Sequence, residues 1–178
     1  MLKGSAIEEK IWNYFKDKGL NDFGIAGLMG NLYAESALNP KNLQNTFEKK
    51  LGYTDETYTQ VVDNGNYKNF VNDGAGYGLA QWTYWSRKQS LQAFAKSRSS
   101  SIGDLETQLN YLDFELGTGY KTVLNTLKNA KSIKVDTKIE NIRMISLLQY
   151  FNFKIVGKIN LLRDGVLDKV RIALELVL

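Results

Sequence analysis

Apolar residues spaced at the period of an α-helix are the feature that most constrains the fold of this chain. Near the start, residues 7–15 and 25–32 each place their apolar side chains on one helical face. Ser5 and Glu8 have the spacing of a capping box at the first run, and Pro40 disfavours helical geometry in the residue before it. The sequence therefore predicts two amphipathic helices before residue 40.

Further apolar runs follow a polar tract at residues 40–78, where the periodicity fades. Helical spacing returns in three runs and in a terminal apolar stripe: residues 84–95, 105–116, 120–127 and 166–178. Within the polar tract, Thr54 can begin a short helix, or Asn64-Gly65 can form the turn of a small hairpin. The predicted fold class is mainly α, with a long irregular insertion that contains either the short helix or the small hairpin.

The composition excludes several kinds of chemistry. Among the 178 residues there is no cysteine and no histidine. This excludes thiol nucleophiles, disulfides, Ser-His relays and zinc sites built on imidazole or thiolate ligands. Catalysis would have to depend on carboxylates, hydroxyls, amines or backbone dipoles, and we expect no cofactor and no metal.

The charge pattern argues against nucleic acid and membrane partners. The net charge of +4 is compatible with an anionic polymer but too mild to indicate a nucleic-acid-binding surface. The first ten residues carry charges where a signal peptide needs an apolar core. Residues 144–153, a conspicuous uncharged apolar stretch, reach only half of the roughly 20 residues of a membrane-spanning helix. We therefore expect no signal peptide and no membrane span.

Glu35 falls in the last turn of the second predicted helix, among small and apolar neighbours. The negative end of the helix dipole and partial burial would both disfavour its charged form. A carboxyl group that keeps its proton near neutral pH can serve as a general acid. The alternative interpretation is a solvated glutamate at a frayed helix end.

A glycine-rich segment at residues 73–83 is the second candidate for chemistry. Its glycines allow a tight turn and the close approach of a ligand. Tyr77 and Trp82 supply flat aromatic faces and Gln81 supplies an amide, a combination that suits a pyranose ring. The alternative is a glycine-rich turn that simply leads into a helix.

Together, Glu-Ser-Ala-Leu-Asn-Pro at residues 35–40 and Gly-Tyr-Gly-Leu-Ala-Gln-Trp-Thr at residues 76–83 resemble the signature of the phage tail lysozyme family. The resemblance extends from Ile11 to Ala130. That family belongs to the lysozyme-like superfamily, which also contains goose-type lysozymes and soluble lytic transglycosylases. The resemblance therefore implies a lysozyme-like helical domain.

The resemblance also implies an activity, namely cleavage of the β-1,4 bond between N-acetylmuramic acid and N-acetylglucosamine in bacterial peptidoglycan. In that family a Glu-Ser element carries the catalytic acid, which assigns the acid to Glu35 and the support of the turn beneath it to Ser36. Tyr77, Gln81 and Trp82 would then contact sugar rings or N-acetyl groups. The implied partners are peptidoglycan and, for a virion-bound protein, other phage tail proteins. A free protein would instead need another factor to release it from the cytoplasm to the cell wall.

The sequence does not identify the second catalytic carboxylate that would act beside Glu35. In retaining glycosidases it lies about 5–5.5 Å from the acid, and in inverting enzymes about 6.5–9.5 Å away. Asp73 is the first candidate because its glycine-rich surroundings adjoin the motif, although it could equally cap a turn. Asp63 comes second, and Asp55 or Glu56 are weaker candidates. Lytic transglycosylases of the superfamily work with one glutamate and form a 1,6-anhydro product, so that reaction is the alternative to hydrolysis.

The region after residue 135 departs from the family pattern. Family members commonly continue with a Glu-x-Pro segment and basic residues, which this chain lacks there. We therefore expect a lysozyme-like catalytic domain at residues 1–135 and a divergent helical segment at residues 136–178 that packs on the same domain. The departure also keeps open a saccharide-binding tail component without catalytic activity.

Overall fold

A computed structural model of the chain describes residues 1–131, 134–138, 153–163 and 166–176, with side chains for residues 1–131. Helices dominate the described residues, which confirms the mainly α fold class. The helices in these ranges are α1 (Ile7–Asp17), α2 (Asp22–Ser36), α3 (Asn45–Leu51), α4 (Asp55–Asp63), α5 (Trp85–Ser97), α6 (Leu105–Thr118) and α7 (Lys121–Lys128). The strands are β1 (Lys134–Lys138), β2 (Phe153–Arg163) and β3 (Val166–Leu176). None of the helices in the described ranges combines the length and the apolar character that a membrane span needs.

The chain divides into two compact units. The first comprises residues 1–14 and 31–121, and the second comprises residues 15–30 and 122–178. The domain boundary expected after residue 135 stays a prediction.

The first unit is built around aromatic side chains. Tyr58, Phe70 and Tyr77 are fully buried, and their ring centroids lie between 5.5 and 6.1 Å apart. Trp82 and Tyr111 form a second pair with centroids 5.3 Å apart. Removing each large apolar side chain from water contributes about 1.5–3 kcal/mol. Residues 73–83 therefore lie on a firmly packed core to which they contribute two rings themselves.

The irregular insertion contains helices α3 and α4. Helix α4 follows Thr54, whose hydroxyl accepts a hydrogen bond from the backbone N–H of Thr57, while the Thr57 hydroxyl accepts one from the N–H of Thr54. This capping box confirms the helix alternative. The hairpin alternative at Asn64-Gly65 is wrong, because Asn64 ends α4 instead of joining two strands.

In the second unit, Asn21 attaches the chain after α7 to the start of α2. Its side-chain amide donates hydrogen bonds to the carbonyl oxygens of Lys128 at 3.0 Å and of Ala130 at 2.8 Å. Its Oδ1 accepts a hydrogen bond from the backbone N–H of Gly24 at 2.9 Å. One asparagine therefore both caps the first turn of α2 by accepting a backbone N–H and fixes the segment that precedes the strands.

The three strands form an antiparallel sheet in the order β1-β3-β2. The helix predicted for residues 136–178 is therefore wrong at residues 136–138, 153–163 and 166–176. From Val170 to Leu176 the large apolar residues alternate with other residues, which is the period of a strand. The other residues of the predicted helical segment, residues 139–152, 164–165 and 177–178, lie outside the described residues.

Candidate active site

Glu35 lies in the last turn of α2 and lines an open cleft of about 380 Å³ within the first unit. This volume is within the range of about 300–1,000 Å³ that is usual for ligand sites. The cleft is lined by Tyr33, Ala34, Glu35, Ser36, Ala37, Asn42, Gln44, Asn45, Thr46 and Gln81. Residues from the end of α2, from the start of α3 and from the glycine-rich segment therefore meet at one surface.

The partial burial expected for Glu35 is wrong, since the residue is exposed. The chain leaves α2 through two left-handed residues, Ala37 with φ of 52° and Leu38 with φ of 62°. Leu38 is buried, whereas Ala37 and Glu35 remain at the surface. Among the described residues, none donates a hydrogen bond to the Glu35 carboxyl, so the group is accessible to a ligand in the cleft.

Ser36 joins the end of α2 to the glycine-rich segment. It is buried, and its hydroxyl oxygen lies 3.0 Å from the carbonyl oxygen of Leu32 and 3.0 Å from that of Leu79. Because the hydroxyl bridges a carbonyl of α2 and a carbonyl of the glycine-rich segment, Ser36 fixes the position of Glu35 relative to residues 76–83.

Gln81 is the member of the glycine-rich segment that lines the cleft. Its backbone is left-handed, with φ of 45°, and its Nε2 donates to Asn42 Oδ1 at 2.9 Å and to the Gly78 carbonyl at 3.1 Å. A Cβ added at Gly76 would lie 2.6 Å from Gln81 Oε1, so a larger residue there would displace this amide. The Gln81 amide therefore has a fixed orientation in the cleft wall.

Tyr77 and Trp82 lie in the core instead of the cleft. Both are fully buried. The Tyr77 hydroxyl is 2.6 Å from Thr59 Oγ1, and Trp82 Nε1 donates to Glu115 Oε2 at 2.7 Å. Antiparallel bridges join Tyr77 to Leu43 and to Trp82. These two aromatic residues hold the glycine-rich segment in place, and the structure does not bring them together with Glu35 at the cleft.

Asp73 is also away from the cleft, and its side chain is only 1% exposed. Its Oδ1 lies 2.5 Å from the ammonium of Lys88 and accepts the backbone N–H of Ala75 at 2.9 Å. Its Oδ2 accepts hydrogen bonds from the hydroxyls of Tyr58 and Tyr67. Lys88, itself fully buried, also donates to the Ala75 carbonyl at 2.8 Å. The pair therefore anchors the start of the glycine-rich segment to α5.

Burial controls the ionisation of the groups around this pair. It lowers the pKa of Lys88, and the hydrogen bond to Asp73 opposes that effect. Burial and the Asp73 carboxylate raise the pKa of Tyr58 and raise that of Tyr67 to about 12. Both tyrosines therefore stay protonated near neutral pH and can donate to Asp73.

The other candidate carboxylates are engaged elsewhere, so among the described residues that line the cleft Glu35 is the only carboxylate. Asp63 accepts hydrogen bonds from the Ser101 hydroxyl and the Ile102 N–H. Asp55 accepts them from the Leu43 N–H and the Asn39 amide. Glu56 forms a salt bridge with Lys41. The hydrogen bond from Lys41 lowers the pKa of Glu56. Within the described ranges, no three acidic side chains lie close enough together to hold a metal ion.

Gln108 is a supporting residue that the sequence analysis missed. It lies on α6 and is fully buried. Its Nε2 donates hydrogen bonds to the carbonyl oxygens of Pro40 at 2.5 Å and of Ile102 at 2.7 Å. Its Oε1 accepts one from the backbone N–H of Leu79 at 2.9 Å. It thereby joins the segment after Glu35 to the glycine-rich segment. The available signal was a polar residue within the apolar stripe of the predicted helix.

Comparison with protein families matches the part of the chain that carries the cleft. A family model described as phage tail lysozyme matches residues 6–139. This range includes both the Glu35 segment and the Gln81 segment. A search of curated proteins found no match.

Proposed function

The chain belongs to the phage tail lysozyme family, and we propose that it hydrolyses the β-1,4 bond between N-acetylmuramic acid and N-acetylglucosamine in bacterial peptidoglycan. The observation that carries this proposal is the accessible carboxyl of Glu35 in a cleft of ligand size. The fixed amide of Gln81 in the same cleft supports it, because an amide can bind sugar hydroxyls or an N-acetyl group.

Glu35 serves as the general acid in this proposal. Its proton passes to the glycosidic oxygen as the bond from that oxygen to the anomeric carbon breaks, and water then completes hydrolysis at the anomeric carbon. The carboxyl stands at the end of α2, in the cleft where a glycan would bind. General acid catalysis typically contributes about 10²–10⁴-fold to a rate.

A lytic transglycosylase is the second candidate, and one observation favours it. Glu35 is the only carboxylate among the described residues that line the cleft, so no second side chain there is a ready base or nucleophile. In this reaction the C6 hydroxyl of the muramic residue attacks its own anomeric carbon. The leaving oxygen takes the Glu35 proton, the Glu35 carboxylate then takes the proton of the C6 hydroxyl, and a 1,6-anhydro product forms without consuming water.

Digestion of purified cell walls by the Glu35→Gln variant tests the proposal. We expect release of soluble fragments to fall by about 100-fold or more, because glutamine cannot donate an acidic proton. Glu48→Gln on α3 is the matched control, since Glu48 is not among the cleft-lining residues. Full activity of Glu35→Gln would contradict the mechanism.

The products of the unaltered protein distinguish the candidates. In heavy-oxygen water, hydrolysis labels the new reducing end, whereas transglycosylation gives unlabelled 1,6-anhydro fragments. Wall binding without any release of fragments would instead favour a saccharide-binding tail component.

We also propose that the protein reaches the wall either as part of a virion, beside other phage tail proteins, or after release from the cytoplasm by another factor. The family supports a phage origin. Detection of the protein in purified particles would distinguish the two routes.

A further inference from the structure

Thr46 lines the same cleft as Glu35 and is oriented there by a chain of hydrogen bonds. The backbone N–H of Gly76 donates to Gln44 Oε1 at 3.0 Å, and the N–H of Gln44 donates to the Gly76 carbonyl at 2.9 Å. Because Oε1 is the acceptor, the Gln44 amide must present Nε2 on its other side. That nitrogen donates to Thr46 Oγ1 at 3.0 Å.

The Thr46 hydroxyl has capacity left for a ligand. A hydroxyl has one proton and two acceptor positions, and Gln44 occupies one acceptor position. Among the described residues, no other group accepts the proton or occupies the second acceptor position, and Thr46 is exposed. One acceptor position and one proton therefore remain available in the cleft.

We propose that Thr46 holds the water that attacks the anomeric carbon. The inference rests on the proposed function and adds the group that positions the nucleophile. The water donates one hydrogen to Thr46 Oγ1, which leaves an oxygen lone pair free to attack. As its oxygen bonds to the anomeric carbon, the glycosidic bond breaks and the leaving oxygen receives the Glu35 proton. The water's surplus proton passes to solvent in the open cleft, and solvent reprotonates Glu35.

Other polar groups of the cleft are less suited to this task. The side-chain amides of Asn42 and Gln81 bond to each other, and both ends of the Gln44 amide are already engaged. Asn45 is exposed, and among the described residues nothing fixes the orientation of its side chain. Of the hydroxyls that line the cleft, that of Thr46 is exposed and oriented by a neighbouring side chain, whereas that of Ser36 is buried against two carbonyl oxygens.

The test compares Thr46→Val, which keeps the shape and removes the hydroxyl, with Thr46→Ser, which keeps the hydroxyl. Purified walls are digested in heavy-oxygen water, and mass spectrometry counts labelled reducing ends and 1,6-anhydro ends separately. We expect Thr46→Val to lower the labelled product by about 100-fold, the size of effect that a misplaced reactant can have. We expect it to raise the anhydro fraction, and Thr46→Ser to retain most of the hydrolysis. Circular dichroism checks that the variants fold.

The outcome separates this inference from the proposed function. Loss of both products in Glu35→Gln, with loss of only the labelled product in Thr46→Val, supports both. Unchanged labelled product in Thr46→Val overturns the role of Thr46 while the acid is unaffected. Exclusively anhydro products from the unaltered protein also overturn it. No fragments from the unaltered protein would overturn the proposed function and, with it, this inference.

Discussion

Replacement of Lys88 by methionine would remove the cation from the buried pair that anchors the glycine-rich segment. Lys88 is fully buried and Asp73 is 1% exposed, so the pair is shielded from water on both sides. Methionine keeps the unbranched apolar stem but cannot neutralise Asp73. The carboxylate would then remain buried with three hydrogen-bond donors, Tyr58, Tyr67 and the Ala75 N–H, and no opposite charge.

Loss of one partner from a buried ion pair destabilises a protein by about 3–5 kcal/mol. The three remaining donors place the expected loss near the lower end, at about 3 kcal/mol. This is a large part of the roughly 5–15 kcal/mol that holds a typical domain folded. The double variant Asp73→Asn/Lys88→Met removes both charges, so we expect it to be more stable than Lys88→Met alone.

Urea unfolding followed by circular dichroism at neutral pH measures these differences in the free energy of unfolding. Lys96→Met is the matched control, because Lys96 lies on the same helix but is exposed, and its effect should stay within about 0.5 kcal/mol. A loss below about 1 kcal/mol for Lys88→Met would refute the structural role. A fully stable Asp73→Asn variant that no longer releases wall fragments would show that Asp73 is catalytic after all.

Two further predictions concern the core. Gln108→Leu leaves the Leu79 N–H and two carbonyls without their partner, so we expect a loss of about 3 kcal/mol or more in urea unfolding; a change below about 1 kcal/mol would contradict this. Burial raises the pKa of Tyr58 and Tyr77 above the unfolded value of about 10, so their contribution to stability is complete below that pH and is lost as the pH rises. We expect each tyrosine to lower the free energy of unfolding by about 1.4 kcal/mol between neutral pH and about pH 11. A series of urea unfolding curves without this decline would refute the raised pKa of these tyrosines.

The elements that could be predicted from the sequence are those set by local patterns. The capping box at Thr54 and the apolar spacing of the first two helices depend on residues within a few positions of one another. Glu35 falls in the last turn of α2 for the same reason, and Gln81 reaches the same cleft.

The roles that could not be predicted depend on partners distant in the chain. Asp73 is paired with Lys88 on α5, a contact that no spacing indicates. Sugar contacts were the expected role of Tyr77 and Trp82, and that prediction is wrong because both rings are buried in the core. An aromatic ring in a glycine-rich loop can bind a sugar or fill the core, and the local sequence does not distinguish the two roles. The terminal stripe fitted a helical period as well as the strand period observed in β3.

The glycines of the motif support the tight turn that the sequence indicates, since Gly74 and Gly78 are both left-handed with φ of 73°. Two of them have a further role, because a Cβ at Gly76 would lie 2.6 Å from the Gln81 amide and one at Gly78 would lie 2.6 Å from the Gln108 amide. Both glycines therefore make room for side-chain amides of the protein itself. Since Gln81 lines the cleft and Gln108 joins the segment to Pro40, the conformation of the cleft depends on these buried or half-buried amides. The contacts of Gly76 and Gly78 with these amides form only when the chain folds, so the motif alone does not predict them.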